Sequence, residues 1–134
     1  MNLSVLIFSI LIIFFRPFLP NIYSDKLSTL WGRFNVYFQH LICGLTVEII
    51  GRENIPKKKA ILMIKHQSTW ETIAFRGLLP IKQSWVVKQE LTKIPLFGTA
   101  LKFSGAISLD RKSGRKAMIK LLREGKRSLE KDRL

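Results

Sequence analysis

The chain has 134 residues, one cysteine, 47% apolar residues, and 23 Lys and Arg against 9 Asp and Glu, for a formal net charge of +14. This length holds one small domain, and an apolar fraction that includes nine Phe and three Trp argues against a disordered basic tail. Cys43 alone leaves no internal disulfide, no multi-cysteine zinc site and no redox dithiol.

Charge is unevenly placed. Residues 1–50 hold three basic and two acidic side chains, whereas residues 51–134 hold twenty and seven, so a nearly neutral apolar head precedes a strongly basic body. Such a body seeks anionic partners: nucleic acid, lipid headgroups, phosphorylated substrates or thioester carriers. No recognised nucleic-acid-binding module accompanies the charge, and an apolar head suits lipid better than nucleic acid. From Leu3 to Phe15 the chain is uncharged and interrupted only by two serines, until Arg16-Pro17 and Pro20 close the segment. As a helix it spans about 20 Å, short of the roughly 30 Å hydrocarbon core, so a transmembrane span needs its flanks. No basic residue precedes the run and no small-x-small site follows it, which weakens a secretory-signal reading. In the next segment, Leu27, Leu30, Trp31, Phe34, Phe38, Leu41 and Ile42 recur at steps of mostly three and four. That stripe fits a helix lying in the membrane interface or one packed on the domain behind it. Together the two segments form a membrane anchor over residues 1–45, and the Lys and Arg excess keeps the body on the cytoplasmic side of an inner or plasma membrane.

The body alternates. Val47-Glu48-Ile49-Ile50 reads as a short strand and Lys57-Lys58-Lys59 as part of a turn, while Ala60-Ile61-Leu62-Met63-Ile64 reads as a strand buried on both faces. Ser68 to Gly77 reads as a short helix ended by Pro80, Ser84 to Val87 as a strand, and Leu91 to Leu101 as loop and helix. Ala106 to Leu109 reads as a further strand, and from Ser113 onward Ala117, Met118, Leu121, Leu122 and Leu129 take helical spacing. Strands alternating with helices define an α/β layer structure. The last helix stops at Leu134 without the strand that the alternation calls for, which reads as an incomplete domain.

Lys65-His66-Gln67-Ser68-Thr69-Trp70-Glu71 lies where the expected buried strand gives way to a helix. A histidine acts as general base near neutral pH, and a carboxylate on its second ring nitrogen fixes the tautomer and stabilises the imidazolium. Residues five apart on one helix sit about 140° apart, so His66 and Glu71 meet only if His66 precedes the helix. Ser68-Thr69-Trp70-Glu71 matches a capping box, which provides that geometry and also gives Glu71 a purely structural role at the Ser68 amide. His40 has no assigned role, and two histidines without a carboxylate cluster make no metal site. No Walker loop or dinucleotide fingerprint occurs.

Three motifs in order carry a resemblance. His66 followed by Glu71 resembles the His-x-x-x-x-Asp motif of the 1-acyl-sn-glycerol-3-phosphate acyltransferases, a family of membrane glycerolipid acyltransferases. Lys88-Gln89-Glu90-Leu91 through Pro95 and Gly98 resembles the family's second block, and Gly105-Ala106-Ile107-Ser108-Leu109-Asp110-Arg111 its strand ending in Asp-Arg. Val47 to Pro56 resembles the family's lead-in. The resemblance implies a partial acyltransferase domain over residues 46–134 behind membrane-associated helices. It further implies acyl transfer from acyl-CoA or acyl-carrier protein to the 2-hydroxyl of lysophosphatidate, with membrane lipid as partner and no further cofactor. His66 would be the base, Glu71 its orienting carboxylate, and Arg111 and, second, Lys88 the phosphate ligands. Ile94 to Gly98 would shape the acyl or acceptor pocket. Two departures stand out: Glu replaces Asp at position 71, and the family's Pro-Glu-Gly-Thr-Arg motif is absent. A chain so cut short also fits a catalytically inactive, membrane-anchored module that binds anionic lipid.

Overall fold

The computed structural model describes residues 2–15, 17–18, 21–56, 59–79, 81–131 and 133. Among the described residues, five helices and two short strands follow in the order α1 (Asn2–Phe15), α2 (Asn21–Cys43), α3 (Thr69–Leu78), β1 (Val86–Lys88), α4 (Phe97–Phe103), β2 (Ile107–Leu109) and α5 (Arg115–Glu130). Single turns of 3-10 helix stand at Arg52–Asn54, Gln89–Lys93 and Arg111–Ser113.

The amino-terminal pair folds as a hairpin that buries several polar groups and leaves much of its apolar surface exposed. Ser9, Ser24, Asp25, Ser28 and Asn35 are buried, while Leu3, Leu6, Ile7, Ile10 and Phe14 of α1 and Leu30, Phe34, Tyr37, Phe38, Leu41 and Ile42 of α2 are exposed. The buried groups satisfy one another: Ser4 donates to Asn35 Oδ1 at 3.0 Å, Asn35 to the Trp31 carbonyl at 2.7 Å, and Ser28 shares a 2.9 Å hydrogen bond with Ser104 beyond α4. The apolar stripe of α2 thus faces outward with Leu27 and Trp31 half covered, and the opposite, small-residue side packs on α3. Gly32 and Gly77 form the crossing point, so close that a Cβ on Gly32 would lie 2.4 Å from the Gly77 nitrogen. The stripe is therefore not the face that packs on the body, and α2 docks there through its small residues instead. Among the described residues, no helix is long and apolar enough to cross a membrane, so the spanning helix considered from the sequence is not found.

Packing against α1 places α4 on the other side of the hairpin, and a small core of Ile12, Ile73, Ala74, Leu79, Ala100 and Ile107 forms around these contacts. Strands β1 and β2 pair in parallel with Val86 opposite Ile107 and Lys88 opposite Leu109, joined by a crossover through α4 as parallel pairing demands. Helix α5 returns along β2 and buries no residue fully, leaving Met118, Ile119 and Leu122 exposed beside its basic side chains. A buried ion pair locks the two halves. Arg133 donates from Nη1 and Nη2 to Asp25 Oδ2 and Oδ1 at 2.7 and 2.5 Å, from Nε to Ser84 Oγ at 2.9 Å, and from Nη2 to the Gln83 and Ser104 carbonyls at 3.0 and 2.6 Å.

Two expected strands do not form. Residues 44–49 and 60–67 run without ladder pairing, and Ile61 and Met63 are 78% and 94% exposed. An apolar run signals burial, but a strand exists only through hydrogen bonds to a neighbour, and among the described residues neither segment has one. The strand expected at Ser84 to Val87 lies at Val86–Lys88, and the helix expected from Ser68 starts at Thr69 with Ser68 as its cap. Pro80, Lys57, Lys58, Arg16 and Pro20, invoked as breaks or turn residues, lie outside the described residues.

Candidate active site

Ser68, in extended conformation, caps α3: its Oγ accepts from the Trp70 amide at 3.1 Å, and its own amide donates to Glu71 at 2.9 Å, closing the capping box. Capping ends the helix before it reaches His66. The imidazole therefore stands in the loop, free to turn back over the first turn, and His66 Nδ1 lies 3.6 Å from Glu71 Oε2. The carboxylate is 18% exposed and the imidazole 66% exposed.

Glu71 serves the cap as well as the histidine. It accepts from the Gln67 amide at 3.1 Å, from the Ser68 amide at 3.2 and 2.9 Å, and from the Ser68 hydroxyl at 2.9 Å. Its own backbone amide, followed by the Ser68 hydroxyl and the Gln67 and Ser68 amides, outweighs partial desolvation and holds its pKa at about 2. At neutral pH the group is thus a fixed anion, suited to orient an imidazole and stabilise the imidazolium, and unsuited to carry the proton itself.

The second pair of expected residues lies at the carboxyl edge of the parallel strands. Lys88 ends β1 directly opposite Leu109, and Arg111 follows β2 by two residues; both side chains are exposed. Asp110 anchors this edge, accepting from the Ser113 hydroxyl at 2.6 Å and the Lys112 amide at 2.9 Å. These hydrogen bonds, Ser113 first, and the charges of Lys112 and Lys93 keep its carboxyl below the ordinary value. Lys93, at the end of the turn that packs against β2, thus stands within electrostatic reach of Asp110. Sequence reading missed it because a lone lysine in a turn is indistinguishable from the other cations. Among the described residues, no hydrogen bond or ion pair joins the His66 and Glu71 pair to Lys88 or Arg111, and no group of three His, Cys, Asp or Glu is placed to hold a metal.

The capped helix thus presents a histidine beside a carboxylate, and the parallel strand pair carries a cationic edge. The sequence profile of the family described as Acyltransferase matches residues 46–134, and the chain belongs to that family. The 1-acyl-sn-glycerol-3-phosphate acyltransferase of Pseudomonas aeruginosa is 38% identical over 102 residues, covering 75% of this chain and 39% of the relative. Proteins of the same name from Saccharomyces cerevisiae and Helicobacter pylori are each 32% identical, over 93 and 92 residues, covering 69% of this chain and 30% and 38% of the relatives. The chain thus spans less than two-fifths of the length of these relatives. No solved structure matches it.

Proposed function

We propose that the protein transfers a fatty acyl group from a CoA or acyl-carrier-protein thioester to the 2-hydroxyl of 1-acyl-glycerol 3-phosphate, forming phosphatidate. The observation that carries this reading is the approach of His66 Nδ1 to the permanently ionised Glu71, which leaves Nε2 to face a substrate. In the reaction, Nε2 takes the hydroxyl proton as the oxygen attacks the thioester carbonyl carbon. The C–S bond then breaks, and the departing thiolate recovers the proton from the imidazolium. Glu71 supports the cationic imidazolium throughout. Arg111, with Lys88 and Lys93, binds the substrate phosphate, the guanidinium being the better fit to two phosphate oxygens.

The hairpin of residues 1–45 serves as the membrane anchor, lying in one leaflet. Its support is the large exposed apolar set of α1 and α2, Leu3, Ile7, Phe14, Leu30, Tyr37 and Ile42 among it, while hydroxyls, an amide and a carboxylate are turned inward beside Ile12. The cationic body, residues 46–134, faces the anionic headgroups of the cytoplasmic side.

One observation favours a second reading, an anionic-lipid-binding module without turnover: the Glu71 oxygens are already engaged in the cap and the imidazole is mostly solvated. Thiol release from acyl-CoA, measured with membranes carrying the wild-type chain or His66→Ala, separates the two. Release that requires lysophosphatidate and disappears with His66→Ala is the expected result. Equal release from both proteins and from empty membranes refutes the transferase reading and leaves the binding module.

A further inference from the structure

Among the described residues, Arg76 of α3 is a buried cation with no ion pair. It is 8% exposed, donates from Nη1 to the Gln83 carbonyl at 3.2 Å, and lies over the Trp85 ring at 5.9 Å. The carboxylate whose charge acts on it is that of Asp25, and both Asp25 oxygens are already taken by Arg133. Two guanidiniums thus bear on one carboxylate, an excess of one positive charge. Burial pushes the Arg76 pKa down to about 10, with Asp25 opposing and Arg133 adding, so the group stays cationic at neutral pH. A guanidinium carries several N–H donors, and one carbonyl and a ring face leave most of them unused. Charge taken out of water is costly unless an anion or further hydrogen bonds compensate it.

The same guanidinium lines a cleft of about 60 Å³ where α1, α2, α3 and α4 meet. α1 brings Ser9 and Ile12 to it, α2 Ser28, α3 Arg76 and α4 Ala100, with Ser104 just after α4. The hydroxyl protons can be traced. Ser28 Oγ donates to the Ser24 carbonyl at 2.8 Å, so in its 2.9 Å hydrogen bond with Ser104 the donor is the Ser104 hydroxyl. The side-chain donors left on the wall are the Arg76 guanidinium and the Ser9 hydroxyl, and among the described residues no carboxylate lines it. A water needs roughly 10–15 Å³ of such a space, so the cleft takes a small ion with a water or two and is too small for a lipid headgroup.

We propose that this cleft is a binding site for one small monovalent anion of the size of chloride, held by the Arg76 guanidinium and the Ser9 hydroxyl. The ion balances the excess positive charge. Because its wall is drawn from both helices of the hairpin and from two helices of the body, the bound anion also ties one to the other.

The full chain in detergent is melted in a series at constant ionic strength in which sodium gluconate is exchanged for sodium chloride. Once chloride exceeds its Kd, each tenfold rise should lift the wild-type melting temperature by about 3–6 °C. Arg76→Met removes the charge and should abolish the response, whereas Ser9→Ala should need about tenfold more chloride to show it. Arg123→Gln, on the exposed side of α5, should respond as wild type does, which separates the cleft from chloride gathered by surface cations. A wild-type chain without a chloride response, an Arg76→Met protein that keeps it, or an Arg123→Gln protein that loses it as Arg76→Met does overturns the proposal. Should Arg76→Met fail to fold, Ser9→Ala decides: a raised chloride requirement supports the site, and an unchanged one overturns it.

Discussion

Replacing Gly77 with alanine sets two opposing effects against each other at the crossing of α2 and α3. In an unencumbered helix interior, alanine is favoured over glycine by about 1 kcal/mol. At this crossing, however, the added methyl would stand 2.5 Å from the Arg33 nitrogen and from the Gly32 carbonyl carbon. Non-bonded heavy atoms settle at about 3.5–4.0 Å, so the helices must part by roughly 1 Å, and because the obstructing atoms are backbone no rotamer change relieves the overlap. Overpacking costs typically about 1–3 kcal/mol; backbone against backbone belongs at the upper end, which leaves a net loss of about 2 kcal/mol. For a chain of this size that lowers the melting temperature by about 4–8 °C. Gly125→Ala provides the control, since a Cβ there meets nothing within 4 Å and should stabilise α5 by about 1 kcal/mol. Thermal melts by far-UV circular dichroism in one detergent compare the two variants. A Gly77→Ala protein that melts at or above wild type would refute the close crossing, and with it the argument that α2 is held to the body through small residues.

Removing one side of the buried Asp25 and Arg133 pair, whose side chains are 10% and 12% exposed, should cost about 3–5 kcal/mol. Denaturant unfolding of Arg133→Met should register that loss, and Asp25→Asn combined with Arg133→Met should recover part of it; a single variant as stable as wild type would show that the pair is not buried in solution. Acid should weaken α3 through Glu71. Its carboxyl is held at about 2 in the folded protein against 4.5 ordinarily, so its contribution is complete above pH 4.5 and is lost as pH falls from there toward 2. Over that interval wild type should lose more melting temperature than Glu71→Gln, which does not titrate. Equal acid sensitivity of the two proteins would contradict the cap geometry.

What the sequence disclosed depended on how far apart the cooperating residues lie. Ser68 and Glu71 are three residues apart and their capping box needs only local backbone, so the site's central pair could be read directly, together with the requirement that His66 precede the helix. The periodicity of α5 was equally local. By contrast, Ala60 to Ile64 has every mark of a strand interior, yet pairing is a property of two segments and its composition names no partner. The aromatic stripe on α2 was visible, but not which way it faces, because the deciding contact is Gly32 against Gly77, two residues whose contribution is the absence of a side chain. Arg133 shows the limit most clearly: nothing in a basic tail distinguishes the one cation that is buried on Asp25 from its solvated neighbours.

That same arginine constrains the order of folding. Its bond to Asp25 joins residues 108 positions apart, and loop closure of that length is an entropic cost met late on a folding path. The α1 and α2 hairpin is local and can form while the rest of the chain is still being made. Until residue 133 is synthesised, Asp25 lacks its guanidinium partner and the hairpin is not yet tied to the body through it. Assembly is thereby directional: the local hairpin comes first, and the guanidinium, reaching Asp25, Gln83, Ser84 and Ser104 together, fixes the body to a helix pair already in place.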